Sequence, residues 1–280
     1  MEDNGTDPRA LLSALAGRLN LDAHAHVFGR PTHGAEGSRY VPDYAAPLGR
    51  WFEHLRAHGM VGGTLVQPSF LGSDNRQLLQ AIEQARALGF SVTGSAVVDP
   101  DVDQSTLRDL AGRDIVSVRL NWIGRSLPVN ATVLAERMAA TAASVGLAVE
   151  LHMEAQRAPA ICNAIVRQGA TIILDHFGLA RDEGELRRLL DGNDRAGTIF
   201  VKASGFYRLP VEPHVQSNLA HRLLAHAVRT IGEDHILWGT DWPHTRHEGH
   251  QSFRDAVTFN LSLHEAAVGK SSAPPTTLED

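Results

Sequence analysis

The stretch Leu147-Ala148-Val149-Glu150-Leu151-His152-Met153-Glu154-Ala155-Gln156-Arg157-Ala158-Pro159-Ala160-Ile161-Cys162-Asn163-Ala164-Ile165-Val166-Arg167-Gln168-Gly169-Ala170-Thr171-Ile172-Ile173-Leu174-Asp175-His176 decides the fold. Its ends, Leu147–Leu151 and Thr171–Leu174, are short apolar runs of the length of a buried strand. Between them, Ala158–Arg167 places its apolar residues at helical spacing, and Gly169 stands where a left-handed cap would end the helix. One strand–helix unit is followed by the next strand, and each strand ends in a histidine.

The unit recurs in both directions. Strands are predicted at Leu19–Ala23, Gly63–Gln67, Ser91–Val97, Ile115–Leu120, Ile199–Lys202 and Ile236–Gly239. Helices are predicted at Trp51–His58, Asn75–Leu88, Gln104–Ala111, Ala131–Ser144, Gly184–Leu190 and Leu219–Ile231, with Gly59, Gly89, Gly146 and Gly232 as further caps. Strand starts are roughly 25–45 residues apart, the length of a βα unit. Eight such units predict an α/β protein, a (β/α)8 TIM barrel in one domain. A doubly wound open sheet is the alternative, but no Gly-x-Gly-x-x-Gly follows the first strand. The expected division is a lead-in over residues 1–17, the barrel over 18–268, and a tail over 269–280 with the composition of a disordered segment. Asp191-Gly192-Asn193-Asp194 reads as a turn. Gly29 to Pro47 reads as a long loop after the first strand, where a barrel carries substrate contacts.

Composition narrows the function. The chain has 280 residues, 43% hydrophobic and 21% charged, enough for a sizeable core. Its formal charge of −6 argues against a nucleic-acid surface or a polybasic membrane anchor. The single cysteine, Cys162, allows no internal disulfide and no cysteine-rich metal site, and it sits in a helical pattern as a buried thiol. No apolar h-region opens the chain and no apolar run approaches the length of a membrane span. A cytoplasmic location is the expectation. Oligomeric state leaves no trace in the sequence, and a homo-oligomer stays open.

Polar residues at strand ends carry the chemistry. His24 and His26 flank Ala25, so period-2 alternation puts both imidazoles on one side. His152 ends the fifth strand, His176 the sixth and Asp241 the eighth. Imidazoles and a carboxylate at successive strand ends can hold a metal, polarise a carbonyl and activate water. A single strand-end histidine is equally at home in a core; the set together is not. Arg119 and Arg125 follow the fourth strand and Arg208 the seventh, and a guanidinium grips a carboxylate with two bonds. His244, His247 and His250 are spaced like a metal comb but read as a solvated loop, with His244 the member expected to face the pocket.

The segments Leu21-Asp22-Ala23-His24-Ala25-His26-Val27-Phe28, Val66-Gln67-Pro68-Ser69, Asp74-Asn75, Asp175-His176-Phe177-Gly178 and Trp238-Gly239-Thr240-Asp241-Trp242-Pro243-His244 resemble the amidohydrolase superfamily. Within it the chain is similar to the branch of 2-pyrone-4,6-dicarboxylate lactonases and related lactone hydrolases, from about residue 19 to about residue 260. The resemblance implies a (β/α)8 barrel. It implies that Arg119, Arg125 and Arg208 hold substrate carboxylates, and that Tyr40 and Ser69 add hydroxyls. Two departures stand out. His152 replaces a tyrosine of the pyrone enzymes, which makes it a substrate contact or a metal ligand. The segment from Asn260 to Asp280 lacks the family's closing helix pattern, so a short or altered last helix is expected. No lysine ends the fourth or fifth strand, so a binuclear centre bridged by a carbamylated lysine is not expected.

These readings converge on hydrolysis of an anionic lactone, with Asp241 activating water and His24, His26 and His176 polarising the carbonyl. The set His24, His26, His152, His176 and Asp241 is the candidate ligand set for one divalent ion, zinc by donor type, or works without metal. A mononuclear zinc decarboxylase of an aromatic or muconate-type acid and a non-catalytic dicarboxylate-binding barrel are the alternatives.

Overall fold

Alternation between the two faces of each strand builds the barrel. In the computed structural model, which describes residues 7–191 and 199–269, the eight strands are β1 (Asp22–Ala25), β2 (Gly62–Val66), β3 (Ser91–Ala96), β4 (Ile115–Asn121), β5 (Ala148–His152), β6 (Ile172–Leu174), β7 (Ile199–Ala203) and β8 (Ile236–Trp238). They form one parallel sheet in sequence order. The seam between β8 and β1 is closed by two backbone bonds: Asp241 N–H donates to His24 O at 2.8 Å, and His26 N–H to Trp242 O at 2.7 Å. The turn expected at 191–194 runs, after Asp191, outside the described residues. So do residues 1–6 of the lead-in and 270–280 of the tail.

Outward-facing strand residues such as Val149, Leu151, Ile172, Leu174 and Val201 pack in the main core with helix residues such as Met138, Ile161, Ile165, Leu186 and Leu223. The helices supplying that layer are α2 (Leu48–Ala57), α3 (Arg76–Ala87), α4 (Gln104–Ala111), α5 (Ala131–Ala143), α6 (Pro159–Arg167), α7 (Glu183–Leu190), α8 (Pro213–Ile231) and α9 (Phe253–Val268). The inward face is different. Ser117, Arg119, Glu150 and Lys202 lie between apolar strand neighbours and are fully buried. Two faces with different contents make a packed barrel rather than an open sheet covered on both sides.

Four expectations are settled or changed. First, the lead-in, read as either loose or helical, takes the helical form as α1 (Pro8–Leu15), started by Asp7, whose carboxylate accepts from Arg9 N–H at 3.0 Å. Its Leu12 and Leu15 pack on Leu21, Ala23, Ala148, Ile173, Phe200 and Leu237, plugging the N-terminal end of the barrel. Second, β1 starts at Asp22 rather than Leu19, because Leu21 N–H turns back to Arg18 O and Leu21 joins the plug. Third, the closing helix is full length: α9 spans 16 residues. Ser252 caps it by accepting from Asp255 N–H at 3.1 Å, and Asn260 Nδ2 donates to Gly239 O at 3.0 Å across the seam. A stripe of Phe253, Ala256, Asn260, Leu263 and His264 does the packing that the missing family pattern would have done. α8 also begins earlier than predicted, at Pro213, because its first turns are polar.

Candidate active site

Inward-facing residues at the C-terminal strand ends surround a pocket of about 400 Å³. Its wall includes His26, Arg119, His152, His176, Arg208 and Asp241, together with Tyr40 and Ser69 from the loops after β1 and β2. His24 lies just beneath, fully buried, with Nε2 3.3 Å from His26 Nε2. Of the residues expected in the site, Arg125 alone is neither on the wall nor beneath it. It is exposed on the loop after β4, where its Nη2 donates to Gly37 O at 3.1 Å.

Asp241 has two unlike oxygens. Oδ2 accepts from Tyr207 Oη at 2.7 Å and from Arg208 Nε. Oδ1 is buried with no hydrogen-bond partner among the described residues, 3.7 Å from His24 Nε2 and 3.9 Å from His26 Nε2. Burial disfavours its charge, but the Arg208 guanidinium and the imidazoles of His176, His24 and His26 outweigh that and hold it well below the usual carboxylate range.

The tautomers follow from the partners. Val66 O, 2.7 Å away, accepts from His26 Nδ1–H, which leaves Nε2 with a lone pair facing Asp241. Arg119 Nη2 donates to His152 Nδ1 at 3.0 Å, so the proton of His152 is on Nε2. His24 Nδ1 lies 3.2 Å from Lys202 Nζ and 3.4 Å from Asp175 Oδ1, so it accepts from the ammonium with its proton on Nε2, or donates to the carboxylate and leaves Nε2 free to ligate. His176 Nδ1 is pinned by Ser204 Oγ at 2.9 Å. Burial, reinforced by neighbouring cations, pushes His26 and His176 down to about 4 and His24 and His152 well below their usual value. All four imidazoles are neutral at neutral pH.

Beneath the pocket lies a layer of charge invisible to motif reading. Arg119 bonds Glu150 at 2.9 Å and Asp175 at 2.6 Å; Lys202 bonds Glu150 at 2.6 Å and Asp175 at 3.2 Å. All four side chains are essentially inaccessible. Burial opposes the charge of Asp175, but Lys202 and Arg119 overcome it and keep its carboxyl well below its usual range. Glu150 and Lys202 could have been found from sequence: each is a lone charge inside an apolar strand, costly unless paired. Tyr207, on a 3-10 turn after β7, had no such signal.

The histidine comb resolves unevenly. His250 is exposed as expected of a solvated loop, but His244 is buried, with Nδ1 3.0 Å from Tyr207 Oη. It faces Tyr207, and His247 takes the place on the pocket wall. Their side chains diverge, so they form no comb.

The donors meet the requirements of a divalent ion in part of the site. His24, His26 and Asp241 bring ligand atoms within 4.8 Å of one another, as do His24, Asp175 and His176. The first group contains the unpartnered Oδ1 of Asp241 and the open Nε2 of His26, so it fits an ion better. Asp175 is already committed to Arg119 and Lys202.

A (β/α)8 barrel with a His-x-His pair at the end of β1, further histidines ending β5 and after β6, and an aspartate after β8 marks the class of barrel hydrolases. The chain belongs to the amidohydrolase family, whose model matches residues 21–268. It is 27% identical over 245 residues to a 2-pyrone-4,6-dicarboxylate hydrolase of Comamonas testosteroni, covering 82% of this chain and 78% of the relative. It is 28% identical over 236 residues to a 4-sulfomuconolactone hydrolase of Rhizobium radiobacter, covering 80% and 75%. Among solved structures, a Pseudomonas putida protein provisionally described as a 2-pyrone-4,6-dicarboxylic acid hydrolase is similar at 37% identity and TM-score 0.76, over 88% of this chain and 93% of that one. A counterpart from Acinetobacter baumannii, with citric acid bound, is similar at 31% identity and TM-score 0.76, over 87% and 91%. Among the described residues, no helix is long and apolar enough to cross a membrane.

Proposed function

We propose that the protein opens the ring of an anionic lactone, of the 2-pyrone-4,6-dicarboxylate or sulfomuconolactone type. The observation that carries this reading is the buried, unpartnered Oδ1 of Asp241 on the wall of a cation-rich pocket. The names of the relatives support the substrate class, and the citrate of the Acinetobacter structure supports a pocket for carboxylates.

Asp241 Oδ1 takes a proton from water as the oxygen attacks the lactone carbonyl, then returns it to the ring oxygen as the C–O bond breaks. Arg208 and Tyr207 hold the other oxygen and fix the carboxylate's orientation. They keep Asp241 ionised at the cost of some basicity, so the carbonyl must be strongly polarised. His152 supplies that from Nε2–H, with His176 beside it at a ring distance of 5.2 Å. His26 cannot donate while its Nδ1–H is held by Val66, so direct polarisation falls to His152 rather than His26. When bound, a divalent ion on His24, His26 and Asp241 would supply Lewis-acid polarisation of the carbonyl. Arg119 and Arg208, both on the pocket wall, offer N–H donors to the substrate's anionic group beyond those held by Glu150, Asp175 and Asp241, and Tyr40 and Ser69 offer hydroxyls.

The test is a panel of lactones followed by proton release, with and without chelator, and with carbon dioxide monitored. Ring opening of carboxylated lactones, and loss of about three decades in kcat with little change in ligand affinity for Asp241→Asn, are the expected results. Turnover in none of the lactones would sink the reading; carbon dioxide release would replace it with a decarboxylase.

A further inference from the structure

Within residues 241–246, on the loop after β8, three side-chain-bearing residues take positive φ: Asp241 (φ 62), His244 (φ 63) and Arg246 (φ 72). A residue with a Cβ keeps this backbone only where its surroundings hold it, and such strain gathers where a side chain has to be aimed. Here the turn folds back on its first residue, with His244 N–H donating to Asp241 O at 2.7 Å. The His244 ring is thereby aimed at the hydroxyl of Tyr207, 3.0 Å from Nδ1. The same hydroxyl lies 2.7 Å from Asp241 Oδ2. Tyr207 is itself fixed in place. Gln216 Nε2, from α8, donates to Tyr207 O at 3.0 Å, and the Arg208 guanidinium and the His247 ring lie 5.5 Å and 4.7 Å from the centre of the tyrosine ring.

A phenol has one proton to donate, and two acceptors compete for it: Asp241 Oδ2 and a lone pair on His244 Nδ1. The far side of the imidazole decides between them. His244 is 3% exposed, and its Nε2 is buried with no hydrogen-bond partner among the described residues. Burial holds the ring neutral, pushed down to about 4, so it carries a single N–H. Were that proton on Nε2, it would be a stranded buried donor, and the Tyr207 hydroxyl would turn from the carboxylate to Nδ1. With the proton on Nδ1, His244 donates to Tyr207 Oη, and only a lone pair is left bare at Nε2. A stranded acceptor is the less costly of the two. The hydroxyl proton then goes to Asp241 Oδ2.

Resting on the reading of Asp241 as the base, we propose that His244 is a positioning residue, whose Nδ1–H donates to Tyr207 Oη and commits the tyrosine's proton to Asp241 Oδ2. His244 is off the pocket wall, so it touches no substrate. It acts through Tyr207: one carboxylate oxygen is held, and the other, Oδ1, stays turned toward His24 and His26. The loops after β7 and β8 are locked together by hydrogen bonds that all run one way, from His244 to Tyr207 to Asp241.

The direction of the chain can be read without turnover. Long-range proton–nitrogen NMR spectra of protein labelled at its histidine nitrogens should show His244 protonated at Nδ1 and bare at Nε2, the signal being assigned by its absence from His244→Asn. A ring protonated at Nε2 overturns the proposal. Kinetics follow on a lactone that the wild type opens. Tyr207→Phe and His244→Leu should each lower kcat about 30-fold with KM within about threefold of the wild type. The double variant should lie within about twofold of the worse single one, because both changes remove the same hold on Oδ2. His244→Asn, whose amide N–H can stand in for Nδ1–H, should keep at least about a third of wild-type kcat. Losses that multiply in the double variant overturn the proposal, as does His244→Leu within about twofold of wild type or an asparagine no better than leucine. The spectrum needs only the wild type and one conservative variant, so it decides the matter even if His244→Leu does not fold. A protein that opens no lactone would sink the reading of Asp241 as base and still leave the donor direction settled by the spectrum.

Discussion

Lys202 shows what a single side chain does in this barrel. Its Nζ reaches Glu150, Asp175 and His24 within 3.2 Å, so one ammonium neutralises part of the buried layer and ties it to the histidine pair of the pocket. Removing one partner of a buried ion pair leaves an uncompensated charge, which costs about 3–5 kcal/mol. Lys202→Met should lower the unfolding free energy by about that amount, read from urea midpoints. Lys202→Met combined with Glu150→Gln should recover a large part, because the carboxylate left bare is then neutral. A single variant as stable as the wild type would show that the layer is not held by these pairs. At this scale the sequence was legible where a residue type announces chemistry. His24, His26, His152, His176 and Asp241 could be placed because imidazoles and a carboxylate at strand ends have few other reasons to be there. Arg125 could not be separated from Arg119, since the direction of a loop side chain depends on contacts such as Gly37 O, far away in the chain.

At the scale of an element, the turn after β7 is the part that sets the spacing of His176 and Asp241. Gly205 has φ +53, and a Cβ there would lie 2.8 Å from His176 Nδ1 and 2.9 Å from Asp241 Oδ2. The turn must pass so close because its next residues, Tyr207 and Arg208, reach back to Asp241. Gly205→Ala should displace the pair by a fraction of an ångström and reduce kcat about 100-fold. The left-handed backbone itself costs an alanine about 1–2 kcal/mol. Gly59→Ala is the control, with φ +65 and open space around the added methyl: stability should fall similarly and kcat should not move. Equal kcat for the two variants would mean that Gly205 is needed for its backbone alone. Elements were predicted where apolar periodicity is undiluted, as in α6 and β6. They were misplaced where polar residues open a helix, as in α8, and left undecided where a short amphipathic helix is held by its tertiary contacts, as in α1.

For the molecule as a whole, buried titratable groups set the response to acid. His26, His176 and His244, all pushed down to about 4 by burial, bind protons in the unfolded chain near 6.5 and in the folded one only near 4. Each contributes stability that is present above 6.5 and lost as pH falls toward 4. Asp22 acts in the opposite sense. Burial raises it to about 6, so its contribution is largest below the usual carboxylate value and is lost as pH rises through 6. Near pH 5 His24 and His152, also held down by burial, act with these three, while Asp22 and Glu150, both raised by burial, oppose them. Stability should therefore fall on the order of 2–3 kcal/mol per pH unit there, measured by urea unfolding across pH 4.5–7. A flat or rising profile on acidification would contradict it. The barrel itself was legible because its rhythm of strand, helix and glycine repeats along the whole chain. The sequence could flag Glu150 and Lys202 as charges inside apolar strands but not their pairing, because the partners come from β4, β5, β6 and β7 and meet only when the sheet closes.

That closure has a consequence for the newborn chain. Asp22 accepts from Thr240 N–H at 2.8 Å and from Thr240 Oγ1–H at 2.7 Å, partners separated by 218 residues. At about 5–20 residues per second, a ribosome needs about 10–40 s to deliver Thr240 after Asp22 has emerged. During that time one edge of β1 has no strand to pair with, and among the described residues the Asp22 carboxylate has Trp51 Nε1–H and the local His24 N–H as its donors. Asp241 is the very next residue to arrive. The step that zips the barrel shut therefore also delivers the Asp241 carboxylate to the pocket, and no partial translation product carries His24, His26 and Asp241 in one closed site.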